Sequence, residues 1–287
     1  MTDLRSIDFA RRARHALLAW SALLLGVAFR VESVRAEDSA SSAAASNGDD
    51  RLDFMKKSVA GYDVRGDDGT AYQLVTEPLL RWDNPVSKVP DGTIFLWQDK
   101  HGRPAAIVQV FIAGGTKDLW LHEFQSLRST PFEVKLGAAS IWNPRRGGVE
   151  LKPLEGAPVP AGTKPGRLSQ MRQLAKRFAA QDEFEDNGRW ELRLLATPLH
   201  RYDAHAEVLD GAIFAFAHGT DPEALLLLEA RKEGDSSVWH YALAPMTGYA
   251  LRMSDQGKEV WTIAARKAPY DRKEPFICIP IPTEGKP

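Results

Sequence analysis

The sequence predicts an α+β protein made of two tandem copies of one module, a helix followed by an antiparallel β-meander. Three observations lead there. Two stretches carry apolar residues at helical spacing: Leu52, Met55 and Val59, then Leu168, Met171, Leu174, Ala175 and Phe178. Each is followed by short runs of strand character, punctuated by Gly, Pro and Asp turn signals. The two halves also match in order. Arg51-Leu52, Pro78-Leu79, Arg81, Asp91-Gly92, Trp120 and Trp142 find counterparts in Arg167-Leu168, Pro198-Leu199, Arg201, Asp210-Gly211, Trp239 and Trp261. A nearly constant offset over so many positions predicts an internal repeat.

The elements follow in chain order. Arg5, Arg11, Arg12 and Arg14 precede an uncharged apolar run over 16–29, and Val34-Arg35-Ala36 offers small residues at a cleavage position. That is the layout of a secretory signal, and the run is shorter than the roughly 20 residues a spanning helix needs. Residues 1–36 therefore read as a signal peptide cleaved after Ala36. The protein is expected to be exported, periplasmic or secreted, with no stable membrane span after cleavage. Residues 37–50 are small and polar and read as a flexible spacer. The first module covers 51–142, with Asp49 or Asp50 capping its helix and strands over 72–76, 93–97, 105–112, 119–124 and 132–136. A Pro/Gly-rich linker or strap over 143–165 leads to the second module, 166–265. Its helix is predicted over 166–184, with Pro165 in the first turn, and its strands over 191–196, 212–217, 224–230, 238–243 and 249–253. The runs 105–108 and 224–228 are almost wholly apolar and predict central strands covered on both faces. A Pro-rich extension, 266–287, closes the chain, and Phe276–Ile281 can add an edge strand there.

The matched positions read as scaffold. Asp91-Gly92 and Asp210-Gly211 predict tight turns into strands. Arg81 with Asp83 and Arg201 with Asp203 are expected to pair or pin loops, and Trp120 and Trp239 to be core. A helix followed by several antiparallel strands resembles, in element order, a cystatin-like or NTF2-like module. No motif is shared with either, and element order implies a fold, not an activity.

Composition narrows the function further. The formal net charge is −1, and no basic patch of the kind a general nucleic-acid binder needs is evident. The lone cysteine, Cys278, excludes an intramolecular disulfide, and its apolar neighbours predict a buried thiol. There is no nucleophile elbow, no Gly-rich phosphate loop and no recognisable carboxylate pair. The strongest chemical candidate is His200-Arg201-Tyr202-Asp203-Ala204-His205. His200, Asp203 and His205 have the ligand types for zinc or another divalent transition metal, with His218 or His240 as further ligands. The first half has Leu80 and Pro85 at the corresponding places, so these histidines are additions to the shared scaffold. The expectation is a non-catalytic, envelope-associated binding module pair for a protein, glycan or envelope component. The alternative is an exported metal-dependent hydrolase using His200, Asp203 and His205. No other cofactor is expected.

Overall fold

The computed structural model describes residues 48–116, 119–183 and 188–281. The expected signal peptide, most of the expected spacer, the last residue of the predicted second helix and the end of the C-terminal extension lie outside the described residues. Helix α1 spans 48–60. It is followed by β1 (Tyr62–Gly66), β2 (Gln73–Asn84), β3 (Val89–Gln98), β4 (Pro104–Ile112), β5 (Trp120–Ser126), β6 (Phe132–Leu136), β7 (Ala139–Trp142) and the short β8 (Lys152–Pro153). Helix α2 (Lys164–Ala175) leads into β9 (Phe178–Glu183), β10 (Arg189–Leu194), β11 (His200–Tyr202), β12 (Val208–His218), β13 (Asp221–Glu233), β14 (Ser236–Pro245), β15 (Ala250–Asp255), β16 (Lys258–Ile263) and β17 (Phe276–Ile281).

This is a mostly β protein, 54% strand and 11% helical, with two helices among the described residues, large antiparallel sheets and a half-barrel. It is not two copies of a helix followed by a meander. The α+β class, the internal repeat and the cystatin-like or NTF2-like order are all corrected by that architecture. A meander pairs each strand with the next, but β1 pairs with β6, placing Tyr62 opposite Leu136. Three sheets result, in the orders β1-β6-β7, β17-β5-β4-β3-β2 and β16-β15-β9-β10-β12-β13-β14-β8, with β11 added on β12. Neither half closes on its own residues. β17 from the C-terminal extension pairs with β5, and β8 from the Pro-rich strap pairs with β14. The predicted second helix is also too long. α2 ends at Ala175, and the apolar residues beyond it change period: Phe178, Ala180 and Asp182 are buried while Ala179 and Glu183 are exposed, the alternation of a strand.

The cores explain why so few helices suffice. β3 and β4 of one sheet face β12 and β13 of another through Ile94, Leu96, Ile107, Ile213, Ala215, Leu225 and Leu227. The alternate residues of these strands point the other way. Phe95, Trp97 and Val108 pack under Met55 and Val59 of α1, and Phe214, Phe216, Leu226 and Leu228 pack with Met171 and Leu174 of α2. The strands read as apolar runs are therefore covered on both faces, as their lack of alternation predicts. The strap 143–165 is tied down along its length, with Gly148 N–H donating to the Arg128 carbonyl and Leu154 N–H to that of Trp239. Cys278, expected to be buried, is half-buried on β17.

The Asp-Gly pairs are not turns. Asp91-Gly92 lies inside β3 and Asp210-Gly211 inside β12. Each glycine makes room for an aromatic ring from the neighbouring strand. A Cβ on Gly92 would stand 2.5 Å from the Trp82 ring, and one on Gly211 2.2 Å from Tyr202. Each aspartate anchors two arginines: Asp91 takes Arg51 and Arg81, and Asp210 takes Arg167 and Arg201. Asp83 is thus not the partner of Arg81, and Asp203 pairs instead with Lys164.

Candidate functional site

The sequence-predicted histidine cluster sits where the two halves meet, and its members do not converge. His200, on β11, has its Nε2 3.1 Å from the Gly102 carbonyl, and burial lowers its pKa. Asp203 is exposed and bound to Lys164. His205 stacks on His101 of the first half, with ring centroids 3.3 Å apart. Beside them Glu229, buried on β13, takes both Arg103 and Arg231 and the Tyr202 hydroxyl at 2.9 Å. Glu207 also holds Arg231, at 2.7 Å, so this end of the seam is charge-balanced, and it joins the halves. His218 and His240, the proposed further ligands, lie elsewhere: His218 Nδ1 is 2.9 Å from Asp182, and His240 is 3.2 Å from Glu233. Among the described residues no group of three or more His, Cys, Asp or Glu is placed to hold a metal ion.

The opposite end of the seam is not balanced. Gln109 on β4 lies 3.5 Å from Glu123 of β5 and 3.2 Å from Asp221 of β13, and its Oε1 is buried without a partner. Glu223 and Asp182 complete a group of four carboxylates. Burial pushes Glu123 up to about 7 and Asp221 and Glu223 well above the ordinary carboxylate range, and like-charge repulsion adds to the last two. Asp182 is raised by burial against the opposing pull of His218. The cation nearest in effect to Glu123 is Arg266, itself lowered to about 10 by burial. None of these four carboxylates stands out in the sequence, because they come together only through the packing of β4, β5, β9 and β13.

The titration has a definite sign. An acid whose pKa rises on folding binds its proton more tightly in the native state, so stability falls as pH rises between the unfolded and folded values. For Glu123 that window runs from 4.5 to about 7. Glu123→Gln removes the penalty. Relative to wild type, the variant is expected to gain stability between pH 5 and pH 8 by up to about 3 kcal/mol, with the difference vanishing near pH 4. Urea midpoints at the three pH values test this, and a constant difference between variant and wild type contradicts it.

A different kind of surface lies beside α2. Thr163 caps the helix by accepting from Gly166 N–H, with a proline in the first turn. Met171, Leu174 and Ala175 face the sheet. Arg172 and Lys176, one turn apart, stay exposed. β10 ends at Leu194, and the chain then bends through Ala196 and Thr197, leaving an open recess between helix and sheet. Its volume is about 450 Å³, lined by Ser169, Arg172, Gln173, Lys176, Leu194, Ala196, Thr197 and Phe214. Arg172 and Lys176 have no hydrogen-bond or ion-pair partner among the described residues. Arg177, close by, differs, since Asp255 holds its guanidinium at 2.6 Å. Helical periodicity shows that these basic residues face out, but not what stands opposite them.

Comparison with protein-family models, with curated proteins and with solved structures gives no match. No helix among the described residues is long and apolar enough to cross a membrane.

Proposed function

We propose that the protein is an exported, non-catalytic binding module whose ligand seat is the recess between α2 and the β10–β12 region. The recess itself carries the reading. At about 450 Å³ it falls within the size range of small-molecule sites, and it combines apolar groups at Leu194 and Ala196 with polar groups on its rim. The space between the two halves is filled by the side chains of the central core. Export rests on the basic leader, the apolar run and the small residues ending at Ala36. The metal-dependent alternative gains no support from geometry, because His200, Asp203 and His205 each hold a different partner.

An NMR titration with small organic probes tests the seat. Amide shifts are expected to cluster at Gln173, Leu194, Thr197 and Phe214. Ala196→Trp, which fills the recess from an exposed position, is expected to abolish them without unfolding the protein. Shifts centred elsewhere, and indifferent to Ala196→Trp, would remove the basis of the proposal.

A further inference from the structure

We infer that this recess selects an amphipathic anion, a carboxylate carried on an acyl chain or an aromatic ring. The inference rests on the recess being the ligand seat and adds the ligand's chemistry. Of the eight lining residues, the ionisable ones are Arg172 and Lys176, and no carboxylate stands among them. In this protein the arginines that serve the scaffold are held by carboxylates, as Arg167, Arg177 and Arg201 show. Arg172 and Lys176 are left without such a partner among the described residues. Both do lie at the C-terminal end of α2, where cations offset the helix dipole. That dipole amounts to about half a negative charge, so two full positive charges leave the rim positive.

The two charges suit a carboxylate head. A guanidinium offers a planar fork that meets both carboxylate oxygens, and the ammonium one turn away adds a second contact. Ser169, Gln173 and Thr197 supply neutral hydrogen-bonding groups on the same rim, while Leu194 and Ala196 supply apolar surface for the rest of the ligand, above the buried ring of Phe214. A cationic amphiphile of the same shape meets repulsion at the rim, and a neutral one lacks the head-group contacts.

The test is calorimetric titration of the purified protein at low salt with octanoate, octylamine, octyl glucoside and inorganic phosphate, with amide shifts to locate each. Octanoate is expected to bind at the recess about tenfold more tightly than octyl glucoside, with octylamine weaker still, because two partly exposed charge contacts contribute about that factor. Its affinity should fall with salt. Arg172→Gln combined with Lys176→Gln is expected to bring octanoate down to the level of octyl glucoside, and Arg172→Lys to keep part of the preference. Equal binding of octanoate and octyl glucoside at the recess, or an unchanged preference in the double variant, overturns head-group selection while leaving the seat in place. Phosphate binding as tightly as octanoate overturns the need for an apolar tail. Absence of every probe from the recess removes the seat itself.

Discussion

Asp210→Ala is expected to lower the unfolding free energy by about 3–5 kcal/mol, the cost of breaking a buried ion pair from one side. Asp210 is fully buried on β12, with one carboxylate oxygen 2.9 Å from Arg167 Nε and 2.6 Å from Arg201 Nη2. Its loss leaves two guanidinium groups facing an empty site. Arg167, at 9% exposure, cannot turn to water, so its charge stays desolvated and uncompensated. Asp91 provides a control within the same chain. It holds Arg51 and Arg81 in the same way, but those side chains are 28% and 35% exposed. Water reaches them once the carboxylate is gone, so Asp91→Ala is expected to cost clearly less than Asp210→Ala. Urea unfolding of both variants measures the difference. Equal costs would mean that burial of the arginines does not set the penalty. Asp210→Leu combined with Arg167→Met is expected to recover part of the loss, because it removes the buried Arg167 charge together with its partner and leaves only Arg201, whose side chain is 26% exposed and reaches water.

These two aspartates also show how far local sequence reaches. Their conspicuous pairing with glycine marked them as important, and a turn is the common reason for Asp-Gly. Here the glycine exists because Trp82 or Tyr202 from the adjacent strand lies across it, and the aspartate because two distant arginines need an acceptor. Both causes act between separate elements, strand to strand or helix to strand, so neither is written in the dipeptide. Apolar runs were more informative. Residues 105–108 and 224–228 could be assigned to central strands because burial on both faces leaves no polar alternation, a property of the strand alone. The start of α2 and the edge strand Phe276–Ile281 were legible for a similar reason: Pro165 in a first helical turn, and a short apolar run containing an edge-compatible proline, are local features. Pairing was not legible. Nothing in Tyr62–Gly66 names Phe132–Leu136 as its partner, and the meander assumed from strand order failed at that step. The site was less legible still. Arg172 and Lys176 look like any solvated helix face until the recess opposite them is known, while the more eye-catching histidines turn out to make contacts between the halves.

Trp239→Ala is expected to cost about 3–5 kcal/mol, the range for emptying a large aromatic site in a core. Trp239 is 1% exposed on β14 and belongs to the cluster that joins α2 to its sheet, with Met171, Leu174, Phe214 and Leu228. Those neighbours are held by helix and ladder geometry, so they cannot collapse into the void, and the cavity term is paid in full alongside the lost transfer energy. Its backbone carbonyl also accepts from Leu154 N–H of the strap at 2.7 Å, a bond that alanine retains. The loss is therefore one of packing, and the strap should stay docked. Trp239→Phe separates the contributions further. The indole Nε1 is buried without a hydrogen-bond partner, so phenylalanine removes an unsatisfied donor while keeping most of the apolar volume. That variant is expected to lose no more than about 1–2 kcal/mol, since relief of the orphan donor offsets part of the smaller ring's cavity. Trp120 is the comparison at a rim. It is 6% exposed and rests on Phe54 at 4.5 Å between ring centroids, where the half-buried Phe54 side chain can settle into vacated space. Trp120→Ala should fall at the low end of the same range, near 3 kcal/mol. Urea midpoints at constant m-value measure all three variants. A Trp239→Phe loss equal to that of Trp239→Ala would show that the indole nitrogen, and not the volume it carries, holds α2 to the sheet.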